Sequence, residues 1–189
     1  MKYTVELYFD EDADDPCKWG EWQIVSFNRN HISFQDPYKY LGPLDEYGEP
    51  IPATIGMRRK LECGTAFILS CYQHSGTIWS LKGEGHQCPW DTARIGGLIM
   101  CKDPSWLPKD YERRKADARG FLETYNAWCN GDVYGYVIRD EDDEVVDSCW
   151  GYFESDYMLE CIADFVGPDA EIEWEGEAAW LAKYFPVAA

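Results

Sequence analysis

The sequence predicts an α+β fold: a mainly antiparallel sheet of about six or seven strands, one long helix over about residues 108–129, and shorter helices near the C-terminus. Three observations lead there. Short runs of alternating apolar residues recur between turn residues. One stretch alone sustains a helical period over several turns. The composition, 46% hydrophobic with 28% charged and 16% aromatic residues, is that of a folded chain with a packed core.

Residues 2–9 (KYTVELYF) alternate as a strand, and the acidic loop 10–15 is closed by Pro16. Residues 22–28 and 31–34 read as further strand material. The Pro-, Gly- and Tyr-rich stretch 37–52 reads as a long loop. Residues 65–72 (TAFILSCY) form a buried strand, turned at 73–76 into a hairpin partner at 77–81. Residues 95–101 (IGGLIMC) make another buried strand. In 108–129, Tyr111, Ala118, Phe121, Leu122 and Tyr125 share one helical face, with Pro108 suited to the first turn and Asn130-Gly131 to the stop. Strands at 133–139 and 144–153 flank an acidic turn, Asp140 to Asp143. Short helices follow at 156–166 and 176–185, with 171–174 as an edge strand between them. There is no internal repeat. The chain reads as a single domain over 1–189, with 102–108 as its candidate seam.

The charge is uneven. Lys and Arg number 17 against 35 Asp and Glu, for a net charge of −18. Residues 1–57 carry −7, residues 58–130 carry +3, and residues 131–189 carry −14. Such a balance excludes non-specific nucleic-acid binding and docking on anionic lipid. No apolar run reaches membrane-spanning length, and the N-terminus lacks the apolar stretch of a signal peptide. Cytoplasmic localisation is the resulting expectation. The eight cysteines are then free thiols, several of them (Cys71, Cys101, Cys161) in apolar runs where they act as small hydrophobes.

Two motif blocks stand out. One is His74-Ser75-Gly76, followed by Cys88-Pro89-Trp90-Asp91 and an Ile-Gly-Gly strand. The other is Gly131-Asp132-Val133-Tyr134-Gly135-Tyr136, followed by Asp147-Ser148-Cys149-Trp150-Gly151-Tyr152-Phe153. With the acidic N-terminal opening, the chain resembles a family of small proteins carried by phages and mobile elements, most weakly over residues 35–62. The resemblance implies a genomic setting rather than an activity. Small acidic proteins of that setting include anti-restriction and anti-CRISPR inhibitors.

The expected function is therefore a non-enzymatic acidic inhibitor that fills the basic groove of a host defence nucleic-acid-binding complex with carboxylates. Its partner-binding residues are Asp140, Glu141, Asp142, Asp143 and Glu144 on the hairpin, and Glu171, Glu173, Glu175 and Glu177, which recur every second residue and so share one face of an extended segment. Asp10, Glu11, Asp12, Asp14 and Asp15 supply a third run. Each run alone reads more simply as a solvated turn or a charge-protected edge; it is their combination that points to a partner. The alternative is a thiol-dependent hydrolase or transferase with Cys88 as nucleophile, His74 as base and Asp91 orienting it. A zinc site from Cys71, His74, His86 and Cys88 is disfavoured by its spacing, so no metal and no cofactor are expected. Gly83, Gly85, Gly96 and Gly97 belong to no phosphate loop, and 140–144 lacks the calcium-loop spacing. Trp19, Trp22, Trp79, Trp90 and Trp106 read mainly as core, with a surface binding face as the alternative. The stripe Arg113, Arg114, Lys115, Arg119 either pairs with the acidic regions or supports a homodimer.

Overall fold

The computed structural model describes residues 1–185. In chain order the elements are β1 (Lys2–Phe9), α1 (Pro16–Trp19), β2 (Trp22–Ser26), β3 (Leu41–Leu44), β4 (Pro50–Pro52), α2 (Ile55–Cys63), β5 (Ala66–Gln73), β6 (Thr77–Leu81) and β7 (Thr92–Cys101). There follow α3 (Tyr111–Asn130), β8 (Tyr134–Arg139), β9 (Val145–Tyr152), α4 (Ser155–Val166), β10 (Glu171–Glu175) and a 3-10 segment Ala179–Tyr184. The class is α+β, with mostly antiparallel sheets. The strands form two separate four-stranded sheets and the small hairpin β3–β4, rather than one sheet of six or seven. The backbone divides into two compact units. The first is Met1–Asp14 with Ala127–Ala189, and the second is Asp15–Asn126. The boundaries between the units fall beside Asp15 and Ala127.

The first unit holds the sheet β10-β1-β8-β9, in which β1 pairs parallel with β10 and antiparallel with β8. Period-two alternation puts Val5 and Leu7 of β1 wholly inside, with Tyr134, Tyr136 and Ile138 of β8. Against that face α4 lays Met158, Leu159 and Ile162, all fully buried at helical spacing. Burying each such side chain contributes roughly 1.5–3 kcal/mol. Gly167, at φ +80°, stops α4. Gly176, at φ +89°, lets the chain turn off β10 across β1: a Cβ there would lie 2.3 Å from the Leu7 carbonyl oxygen. Ala178 N–H then donates to that oxygen at 3.0 Å and delivers Ala178 and Leu181 to the core. The expected last helix at 176–185 is this 3-10 segment, started by the glycine turn.

The second unit holds the antiparallel sheet β2-β7-β5-β6. Val25, Met57, Ala66, Leu98 and Met100 form one core, with Met57 supplied by α2. Helix α2 has no strong apolar period. It is fixed by its ends, with the Thr54 hydroxyl accepting from Met57 N–H at 3.0 Å and Gly64 left-handed at φ +72°. Helix α3 buries Ala118, Leu122 and Tyr125. Asn126 clamps the edge strand β6, accepting from Trp79 N–H at 2.8 Å and donating to Trp79 O at 2.9 Å. Residues 31–34 are not a strand. Asn28 turns the chain by accepting from Asn30 and His31 N–H, and one isolated bridge, Ser26 to Phe34, remains. Trp22 and Trp79 are core, but Trp19, Trp90 and Trp106 are exposed, Trp90 to 92%.

The acidic unit as candidate functional site

Counted by unit, the charge separates completely. The first unit carries 21 acids and 3 bases, a net −18, on 77 residues. The second carries 14 acids and 14 bases on 112 residues and is neutral. The whole net charge of the protein therefore sits on the smaller unit. Chain order hides this, because the N-terminal strand joins the acidic C-terminal third while residues 15–57 belong elsewhere.

Within that unit the acidic runs follow β1 from end to end. At its start, Lys2 N–H donates to Glu141 Oε1 at 2.9 Å, which ties the 140–143 turn to the strand. Along its length runs β10, whose Glu171, Glu173 and Glu175 are all exposed and register with Lys2, Thr4 and Glu6 on the face opposite the core. At its far end, Phe9 N–H donates to Glu177 Oε1 at 3.1 Å, and Asp10 to Asp12 follow directly. Eight residues of strand span about 25 Å. Along that length and past its two ends lie thirteen carboxylates (residues 6, 10–12, 140–144, 171, 173, 175 and 177), against the two cations Lys2 and Arg139. Duplex DNA would carry about 15 charges over the same distance.

The acids do not all play one part. Asp140 is a turn-former: its Oδ1 accepts from Asp142 and Glu144 N–H, both at 3.0 Å, while Asp143 sits at φ +65°. Asp147, facing the core side, accepts from the Tyr136 hydroxyl at 2.7 Å, and burial together with that carboxylate raises the Tyr136 pKa. Asp15 caps α1 in the other unit, accepting from Cys17 N–H at 2.8 Å. Lys2 pairs with Glu173 at 3.0 Å, and this bond holds its ammonium above the ordinary lysine value. Arg139 pairs with Glu6 at 3.4 Å and with Asp143 at 3.8 Å. Among the described residues, Glu175, Glu177 and Asp10 to Asp12 have no cationic partner, and Glu171 shares Lys2 with Glu173.

The outward face of this sheet also carries an aromatic pair that the sequence reading missed. Tyr8 and Trp150 stack at 5.8 Å with 23° between their planes. Trp150 lies on Gly135, where a Cβ would come 2.2 Å from the indole ring, and it remains 49% exposed. The only signal available was the parity of β1, which puts Tyr8 with Glu6 on the outward side. Tyr8, Trp150, Asp10 to Asp12 and Glu177 line a groove of about 550 Å3. A second groove, of about 440 Å3, lies at the other end of β1 between Lys2, Thr4 and the 140–143 turn.

In the second unit, Cys88, Asp91 and His74 do come together, but in an order unlike a thiol dyad. The Cys88 thiol donates to Asp91 Oδ2 at 3.4 Å, and His74 Nδ1 is 3.6 Å from the same oxygen. The carboxylate thus stands between thiol and imidazole, where a nucleophile needs the imidazole on the sulfur. The rest of the loop is a hydrogen-bonded turn: the Thr92 hydroxyl accepts from Cys88 N–H and donates to His86 O, each at 3.0 Å. His86 packs edge-on against Tyr72 at 4.7 Å. Cys71 is buried in β5, and burial pushes its thiol up to about 11. Among the described residues no group of three or more His, Cys, Asp or Glu side chains is placed to hold a metal ion, and no helix is long and apolar enough to cross a membrane. The stripe on α3 turns to its own unit: Arg119 forks onto Glu84 at 2.8 and 2.6 Å, Lys115 joins at 3.1 Å, and Arg114 donates to Cys63 O at 2.6 Å.

Comparison with protein-family models, with curated proteins and with solved structures finds no match to this chain.

Proposed function

We propose that the protein is a non-enzymatic inhibitor, of the anti-restriction or anti-CRISPR kind carried by phages, whose acidic unit occupies the basic groove of a host nucleic-acid-binding defence complex. The observation behind this reading is the partition of charge, −18 on one unit and zero on the other. A partner that gains affinity by neutralising phosphates gains it equally from carboxylates held at similar density. The glutamates on β10, at spacings of about 6–7 Å, stand on a backbone fixed by pairing to β1, so their row needs no ordering of the main chain on binding. The partner's own groove supplies the missing cations, and direct binding of this chain to nucleic acid is disfavoured by its charge.

The test is a pull-down from host lysate, washed first at low and then at high salt, with the eluates identified by mass spectrometry. The expected result is a nucleic-acid-binding complex that elutes with salt, is displaced by duplex DNA, and is lost when Glu171, Glu173 and Glu175 are changed to Gln. A complex retained unchanged at high salt, or captured equally by the triple variant, would refute the reading.

A further inference from the structure

Resting on that reading, we infer that the groove at the far end of β1 is the anchor point of the acidic surface, and that it takes an arginine side chain of the basic partner protein in preference to a lysine. Trp150 packs over Gly135, which has no side chain to hold the indole off, and Tyr8 stacks with it. One ring face is thereby packed, and the indole is still half exposed. A flat, exposed indole is the best aromatic platform for a cation, and a planar guanidinium stacks on it where an ammonium does not. The same groove is lined by Asp10, Glu11, Asp12 and Glu177, and none of these has a cationic partner among the described residues. Glu177 is held in place by the Phe9 N–H, so its carboxylate is presented rather than free to swing away. The volume, about 550 Å3, exceeds what one arginine side chain fills and leaves room for the strand that carries it. By contrast, the groove at the other end of β1 contains Lys2 and has no exposed tryptophan, so it offers charge without a platform.

Charge complementarity selects the occupant: a basic segment of another protein, with arginine at the groove and further cations along β10. Aromatic residues at an interface centre, beside arginine on the partner, are where binding energy concentrates.

The experiment uses the full chain and two capped decapeptides of equal charge, (Arg-Gly)5 and (Lys-Gly)5, titrated by calorimetry at 20 and 150 mM NaCl. The arginine peptide is expected to bind about fivefold more tightly, the size of an exposed cation–π contact. W150L is expected to remove that preference while leaving the lysine peptide's affinity unchanged, and W150F to restore most of it. W90L, on the other unit, leaves the preference intact. D10N/E11Q/D12N weakens both peptides alike. Equal affinity of wild type for the two peptides overturns the inference, and that comparison depends on no variant folding. So does a preference that survives in W150L, or self-association of the protein that the arginine peptide fails to compete with. The two proposals fail separately. A salt-eluted complex captured as well by W150L as by wild type keeps the acidic inhibitor and removes the groove. Arginine preference with no captured complex does the reverse.

Discussion

Replacing Glu175 by Gln should stabilise this protein, and the gain should vanish in salt. Glu175 is exposed at the end of β10, opposite Glu6 on β1 and two residues from Glu173 on the same face. The strand geometry puts those carboxylates at about 5 Å and about 6.8 Å respectively. In the dielectric of water, like unit charges repel by about 0.8 kcal/mol at the first distance and about 0.6 kcal/mol at the second. Arg139 beside Glu6 and Lys2 beside Glu173 offset part of each. The remainder, about 0.5–1 kcal/mol, is what the amide should restore at 10 mM salt. At 0.5 M the screening length falls to about 4 Å, and the gain should shrink below about 0.2 kcal/mol. Urea unfolding of E175Q and wild type at both salt concentrations, followed through the first unit, measures it. E175K should exceed E175Q at low salt and converge with it at high salt. A variant that is neutral or destabilised at low salt, or a gain that salt does not reduce, would show that the edge carboxylates are not in mutual repulsion, and the mimicry argument would lose its physical basis.

Other consequences are open to direct measurement. Hydrogen bonding to Arg119, with Lys115 beside it, depresses the Glu84 carboxyl from 4.5 to about 2, so its stabilisation is fully present above pH 4.5 and lost as pH falls toward 2. Since the carboxylate is a third exposed, E84Q should cost about 1 kcal/mol at pH 7, and urea titrations should show the difference from wild type closing by about pH 2. Burial pushes the thiols of Cys17 and Cys71 up to about 12 and about 11, so peptide mapping after alkylation at pH 8 should find them unmodified while the exposed Cys63 and Cys149 react first. H74A should leave the alkylation rate of Cys88 within about twofold, and a tenfold fall would restore the thiol-enzyme reading. G176A should destabilise the first unit by more than about 2 kcal/mol, because the new Cβ meets the backbone of Leu7, whereas G151A, with the same sign of φ and open space, should cost about 1 kcal/mol. Equal losses from the two would mean that the Gly176 crossing is not a close approach.

Local pattern carried most of the elements and the two hairpins, but not the pairing of distant strands. The alternation in 2–9, the hairpin turned at 73–76, the acidic turn at 140–143 and the glycine after α3 were legible because each is decided by residues within a few positions. Helix α2 was not, since its apolar face is weak and a hydroxyl cap with a left-handed glycine marks its ends. The pairing of β1 with β8 and β10 joins residues 125 or more positions apart. A β-strand's alternation says which face is apolar, not which strand lies beside it. For that reason one sheet was expected and two are found. The same gap decided the site. Glu171, Glu173 and Glu175 were identifiable from their spacing, but the attachment of Glu141 and Glu177 to the two ends of β1 depends on tertiary pairing. Trp150 stood in a motif with nothing to mark it as exposed, since its seat on Gly135 depends on the pairing of β8 with β9.

Solubility does not account for the partition of charge. A small domain is kept in solution by a net charge of about 2–8, and the second unit of this protein has none while exposing Trp90, Trp106, Tyr38 and Tyr47. A general demand for solubility would act on that surface first. Edge protection does not account for it either. One or two charges suffice to blunt a strand edge, and β10 sets three carboxylates in a row beside a fourth on β1, where each further one costs stability. Charge that is absent where it would help and dense where it repels itself fits the basic partner proposed above, whose contact would remove the repulsion. That proposal predicts that stability and partner affinity will change in opposite directions as the β10 glutamates are neutralised one at a time.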